Sequence, residues 1–327
     1  MKKLFFFAAL LAATICATAQ QNQVVWQNGK VLFANPIATI DSLTFSNNAE
    51  ELDTLYMLLP RTIVRVDTVY IHDTVYQCPP NPDAPLAGVF SVSATQQVKF
   101  SKGNLQYTQS TNTWSFAANQ YDMIGTANVK NNALANKIDL FGWSGSVASS
   151  QWGVSTSTSS NEYMGTFADW GQNIGDGTTW RTLTNEEWTY LLSGRANASS
   201  LMGVARIQIS EVKYANGLIL LPDTWNCPNG VTFTPGFLSD SEQDYAVYQT
   251  FTLEQWSKLE AAGAVLLPAA GHRYGTAINS VQEGGFYWSA DFYNSNLAYC
   301  IYFFSNEAIG NQNLRFLGNS VRLVQDL

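Results

Sequence analysis

The chain has 327 residues, 46% of them apolar and 13% aromatic, which excludes global disorder and allows one large domain with an appendage. Its formal charge is -8, from 17 basic and 25 acidic residues. That balance argues against nucleic acid, whose phosphates demand stripes of Lys and Arg, and equally against an anionic membrane surface.

At the N-terminus, Lys2 and Lys3 precede the apolar run Leu4 to Ala13, and Ala17-Thr18-Ala19 offers a small-x-small cleavage site before Gln20. Residues 1–19 therefore read as a removed secretory signal. The mature chain is expected at the cell surface or outside the cell, with the periplasm as a further option. Acylation at Cys16 is the alternative, and bulky Ile15 directly before it argues against that. No later segment supplies the roughly 20 apolar residues of a bilayer-crossing helix. The mature cysteines are Cys78, Cys227 and Cys300. A Cys227–Cys300 bridge and buried free thiols are both open, and no Cys/His spacing points to structural zinc.

Residues 22–50 alternate apolar and polar around Val24-Val25-Trp26 and Val31-Leu32-Phe33, with Gln27-Asn28-Gly29-Lys30 between them. This predicts a hairpin turned by Asn-Gly in a short N-terminal β segment (20–50). Residues 51–85 read as a stalk and linker. Asp67-Thr68-Val69-Tyr70 repeats as Asp73-Thr74-Val75-Tyr76, with the strict alternation of an extended strand, and the prolines of 78–85 favour an extended linker. A domain of 86–327 follows.

In that domain the pattern is short strands broken by turn residues. Strands are expected at 88–93, 97–100, 113–117, 217–221, 264–267, 286–290, 297–304 and 320–324. Two helices are expected. Thr184-Asn185-Glu186-Glu187 and Thr252-Leu253-Glu254-Gln255 are capping boxes, followed by Trp188, Leu191 and Leu192, and by Trp256 and Leu259. Residues 126–180, rich in Gly, Ser, Thr and Asn, read mostly as loop. The fold class is thus α+β: small twisted antiparallel sheets, two helices and long ordered loops.

Several motifs carry a resemblance over 86–325. Trp180-Arg181-Thr182-Leu183-Thr184-Asn185-Glu186-Glu187-Trp188 resembles the strand-to-helix element of the formylglycine-generating-enzyme-like branch of the C-type lectin fold. Gly285-Phe286-Tyr287-Trp288-Ser289 and Gly318-Asn319-Ser320-Val321-Arg322 resemble the end motifs shared by that branch and by the variable proteins of diversity-generating retroelements. Ile40-Asp41-Ser42-Leu43-Thr44-Phe45 is similar to a segment near the start of many exported surface proteins of gut Gram-negative bacteria. The resemblance implies a C-type lectin-like domain whose ligand-binding face lies between the two end motifs. Active diversification and a static member of the same fold are both open readings.

The composition between those ends suits recognition, because rigid aromatics give contact area at low entropy cost and small amides give adaptable hydrogen bonds. The candidate ligand-binding residues are Asp291, Tyr293, Asn294, Asn296, Tyr299, Tyr302, Asn306, Asn311, Asn313, Phe316 and Asn319. Strand alternation lets only about half of 297–304 face a ligand, with Tyr299 favoured. The expected partner is a protein or carbohydrate, on another cell or free.

Catalysis is the weaker expectation. The histidines are His72, in the stalk, and His272. Cys300 stands alone where the enzymes of the resembling branch carry a cysteine pair. The calcium-binding motifs of sugar-binding C-type lectins are missing as well. No cofactor or metal is therefore expected, with room left for a structural calcium on Asp169, Asp176 or Asp223. Trp143, Trp152, Trp170 and Trp180 read as core under long loops ahead of sugar platforms, and Glu186 and Glu187 as helix N-terminal charge. Two rival classes stand beside the binding protein. One is a relative of the formylglycine-generating enzymes; the other is an adhesin or pilus-tip component that pairs strands with a partner.

Overall fold

The computed structural model describes residues 83–128, 137–147, 151–239 and 242–327, together with the backbone of 22–27 and 30–36. The signal, the stalk and Cys78 lie outside the described residues. Contacts divide the chain into two units, Met1–Asn81 and Pro82–Leu327.

In the first unit, β1 (Asn22–Gln27) pairs antiparallel with β2 (Lys30–Pro36), and the register shifts between Val25 and Trp26. The second unit opens with β3 (Phe90–Ser91), β4 (Gln97–Phe100), β5 (Leu105–Thr108), β6 (Thr113–Phe116), β7 (Lys137–Ile138) and β8 (Arg181–Thr182). Helix α1 (Asn185–Thr189), β9 (Met202–Gln208), β10 (Tyr214–Leu220), α2 (Tyr245–Tyr248), β11 (Thr250–Thr252), α3 (Leu253–Ala261) and β12 (Val265–Pro268) follow. The chain then runs through β13 (His272–Tyr274), β14 (Ala277–Asn279), β15 (Gly285–Phe292), β16 (Leu297–Phe303), β17 (Ala308–Leu314) and β18 (Leu323–Asp326). The unit is mixed α+β with small sheets, and one pairing, β11 with β9, is parallel.

Both predicted capping boxes form. Thr184 accepts the Glu187 amide while the Glu187 carboxylate takes the Thr184 amide, and Thr252 with Gln255 does the same. Each box satisfies two amides that a helix start would otherwise leave without partners. Helix α2 is an addition to the two expected, started by the Asp244 carboxylate on the Ala246 amide. After α1 the chain continues as a π-turn, Tyr190–Gly194, that keeps Leu191 and Leu192 in the core.

The sheet β11-β9-β10-β12 sits between two apolar clusters. On its strands Val204, Leu218, Leu220, Val265 and Leu267 join one cluster, and Ala205, Ile207, Ile219 and Leu266 join the other, where α3 supplies Trp256 and Leu259. This is strand alternation with both faces covered, so β10 reads as a continuous buried run. A third cluster gathers Trp143, Trp170, Trp180 and Trp288 beneath the loops of 137–180. Trp143 and Trp170 have no exposed surface, so the core reading of these indoles holds and the sugar-platform reading does not. Trp152 packs against the same cluster and is partly buried.

The meander β15-β16-β17 bridges two of these clusters. Tyr287, Ile301 and Phe303 face the cluster that contains Trp188 of α1, while Trp288, Ala298 and Cys300 face the tryptophan layer. Its last strand leads to Gly318–Ser320, which bridges in turn to Arg273, Phe141 and Tyr287. Strand β18 then closes the fold by pairing with β4 and β8, starting at Leu323 rather than at the expected residue 320 because 318–320 are spent on those bridges.

Asp139 is buried completely beside these loops. Its carboxylate accepts the Asn128 amide group and the Ile124 main-chain amide, and burial still pushes its pKa up to about 6 against those donors. A raised carboxyl pKa means that the folded state binds the proton more tightly than the unfolded one. Its contribution is fully present below about pH 4 and is lost as pH rises through 6, by up to about 1.4 kcal/mol per pH unit. Urea midpoints from pH 4 to 7 should show the stability difference between the natural chain and Asp139→Asn shrinking as pH rises. A difference that stays flat over that range would remove Asp139 as the titrating group.

Candidate recognition surface

The two turns of the meander lie at opposite ends of β16, whose seven residues span about 20 Å at roughly 3.3 Å per residue. Tyr293, Asn294 and Asn296 sit in or beside the β15–β16 turn, and Asn306 in the β16–β17 turn. Tyr299 and Tyr302 are three residues apart on one strand, so they project to opposite faces. Tyr299 pairs across with Gln312, whereas Tyr302 lies in a row with Phe286 and Ile309. The candidates read from sequence as one face are therefore distributed between two ends and two faces.

The β15–β16 end is the more exposed. Phe292 is 56% exposed and Tyr293 51%, and Asn294, Ser295 and Asn296 are exposed beside them. Tyr293 meets Tyr299 edge-on at 5.4 Å. Underneath lies Arg315, 3% exposed, with its guanidinium 4.5 Å from the centre of the Trp143 ring and 5.2 Å from that of Phe292. It donates to the carbonyls of Asn294 at 2.5 Å, Tyr163 at 3.3 Å and Leu297 at 3.5 Å. The turn is thus held from below by a cation between two aromatic rings and bonded to the turn's own carbonyls. Nothing in the local sequence Leu314-Arg315-Phe316 separates this arginine from a surface one, and it was absent from the sequence candidates, as was Phe292.

Several candidate asparagines serve their own backbone. Asn294 Oδ1 accepts the amides of Asn296 and Leu297, both at 2.9 Å, the side-chain turn typical of Asn. Asn311 Oδ1 takes the Gln312 amide at 2.8 Å and Asn313 Oδ1 the Leu314 amide at 3.1 Å. Asp291 accepts the Asn185 amide at 2.6 Å, at the start of α1. Their oxygens are engaged, while the side chains of Asn294 and Asn311 are exposed.

Two candidates are corrected outright. Asn319 has no exposed surface, because its backbone pairs with Phe141, and Phe316 is 8% exposed in a cluster with Tyr163 and Leu317. Neither contributes to a solvent-facing surface. The motif end at 318–322 is a structural junction.

The groups weighed for chemistry are dispersed. Cys300 is 2% exposed and burial pushes its thiol up to about 12; Cys227 is exposed, and the two are unbridged, which corrects the disulfide option. The His272 ring packs on Phe286 at 4.8 Å, its buried Nδ1 has no hydrogen-bond partner, and burial lowers its pKa. Glu187 is spent on its capping box and on Arg181 at 2.7 Å. Asp169 accepts Gly171 and Thr182, Asp176 accepts Thr178 and Thr179, and Asp223 accepts Ser91 and Arg195, so the three aspartates proposed for calcium are each satisfied by protein donors at separate places. Among the described residues no group of three or more His, Cys, Asp or Glu is placed to hold a metal ion, and no helix is long and apolar enough to cross a membrane.

Comparison with known proteins finds no matching family model, no similar curated protein and no similar solved structure.

If Arg315 pins the turn, Arg315→Ala should speed hydrogen exchange at the amides of Asn296 and Leu297 by tenfold or more, on the order of 1.4 kcal/mol of lost local stability, while amides of β10 keep their natural rates. Unchanged rates at those two amides would show that the turn is held by its Asn294 oxygen alone.

Proposed function

We propose that this chain is an exported, surface-displayed, non-catalytic binding protein that recognises a protein or glycan ligand through the β15–β16 end of its C-terminal meander. The observation that carries the reading is the pairing of exposure with restraint. Phe292 and Tyr293 present more than half of their surface to solvent, yet the turn that carries them is bonded to a buried guanidinium. Exposed aromatics that are already ordered lose little freedom when a partner docks, and this is what gives such residues their weight in interfaces. Ser295, Asn296 and the amide nitrogen of Asn294 supply the polar rim.

A C-type lectin-like fold and membership of the formylglycine-generating-enzyme-like branch remain part of this proposal, supported by the end motifs and by the α+β arrangement of small sheets. Export rests on the N-terminal Lys-apolar-small pattern, and surface display on the resemblance of 40–45. The adhesin reading turned on a long strand edge at 61–76, which lies outside the described residues. The enzyme reading asked His272 or Cys300 to meet a second ionisable group; the His272 ring packs on Phe286, and Cys300 lies in the tryptophan layer.

The test uses the full chain on an array of bacterial surface proteins and defined glycans. A specific hit should lose tenfold or more in affinity, about 1.4 kcal/mol, in Phe292→Ser and in Tyr293→Ala, with unfolding midpoints unchanged. Hits that are indifferent to both substitutions would move recognition away from this turn. The protein recovered from its natural source should begin at Gln20; an N-terminus at Met1 would sink the export reading.

A further inference from the structure

At the other end of β16 the chain builds a different feature, a pocket of about 210 Å³ lined by Gln243, Glu283, Phe304, Ser305 and Asn306. Its ring wall is fixed. Phe304 lies on the backbone of Gly284, where an added Cβ would come within 2.6 Å of the ring, and it meets Phe286 edge-on at 5.8 Å and Tyr302 at 5.7 Å. The polar wall is fixed through its backbone. The Glu283 carbonyl accepts the Tyr245 hydroxyl at 2.8 Å, and the Ser305 carbonyl accepts the Leu238 amide at 2.8 Å. The Ser305 hydroxyl donates to the Glu242 carbonyl at 3.2 Å. The Glu283 side chain itself is exposed.

We propose that this pocket binds a neutral saccharide unit, with its apolar ring face on Phe304 and its hydroxyls bonded by Glu283 and Gln243. Three properties support that class. Drug-sized ligands occupy roughly 300–1,000 Å³, so a space of 210 Å³ suits a single small ring. A carboxylate accepts from two neighbouring hydroxyls while carboxamides both donate and accept, which matches groups that are donor and acceptor at once. A phosphate or acidic sugar would meet Glu283 and a chain of net charge -8. The pocket is about 20 Å from the β15–β16 turn across the length of β16, so it stands or falls independently of the docking surface there. Tyr302 and Asn306, two of the sequence candidates, belong to this end.

The experiment is titration of the full chain, followed by saturation-transfer NMR and calorimetry, with glucose, galactose, mannose, N-acetylglucosamine and their short oligomers, and with methylammonium as the cationic control. One or more of the neutral sugars should bind saturably, and Glu283→Gln, which keeps the side-chain shape, and Phe304→Leu should each weaken it about tenfold or more. Tyr293→Ala should leave this binding unchanged. The proposal is overturned if no sugar binds up to about 10 mM, near the weak limit of specific recognition, if binding survives both pocket substitutions, or if methylammonium binds instead.

Discussion

The second unit depends on arginine side chains buried among main-chain carbonyls. Arg322, with 1% exposure, donates to Leu266 O and to the amide oxygens of Asn104 and Gln120. Arg273, also at 1%, donates to the carbonyls of Leu140, Gly153 and Gly275. Arg315 takes Tyr163, Asn294 and Leu297. A buried guanidinium is costly unless its fork of donors is satisfied, and a buried loop carbonyl is costly unless something donates to it. Each arginine donates to such oxygens, with only Nε of Arg322 left without a partner, and each ties segments more than 100 residues apart. None of the three has a carboxylate among these partners. Burial accordingly lowers the pKa of each, that of Arg322 to about 10, which still leaves it charged at neutral pH.

The same economy governs three tryptophans of the loop layer. A domain with so much irregular backbone has carbonyls inside it that no ladder satisfies, and the indole N–H reaches them while the ring fills the space below the loop. Trp143 donates to Ser289 O, Trp170 to Trp152 O and Trp288 to Phe141 O. Close approach of backbone to backbone completes the packing. Gly153 has φ +67, and a Cβ there would fall 1.8 Å from the Gly142 carbonyl oxygen, so this contact tolerates only glycine. Long loops become rigid in this way without secondary structure.

This explains what the sequence could and could not convey. The capping boxes were legible because the interaction is local and spans four residues. The strand at 97–100 was legible from alternation alone, and it forms with those bounds. Strand β17 was not, because Gly310-Asn311-Gln312-Asn313 has neither alternation nor β-branched residues. It is a strand because β16 offers it a ladder along its whole length. The candidate surface was half legible for a related reason. Composition located the right segment and its exposed Tyr and Asn side chains, but composition is blind to register, which puts Tyr299 and Tyr302 on opposite faces. It is equally blind to which asparagine oxygens are consumed by neighbouring amides. Arg315 and Glu283 were out of reach, since their roles arise from residues distant in sequence.

The edge of the meander clarifies why surfaces and not strand pairing are what this end of the molecule offers. Strand β17 is the outermost of its three, and a bare edge would invite another strand to add itself. The amides of Gln312 and Leu314 are already taken by Asn311 and Asn313, so two of the donors that such a partner needs are withdrawn. Asparagine on this strand therefore does what lysine or proline does on many edges, without adding charge. With the edge blunted, the features left to an incoming molecule at the two ends of β16 are an aromatic turn braced by Arg315 and a small polar pocket braced by Phe304. Both are stiff for the same reason: each adds to its own hydrogen bonds a support from the groups packed beneath it.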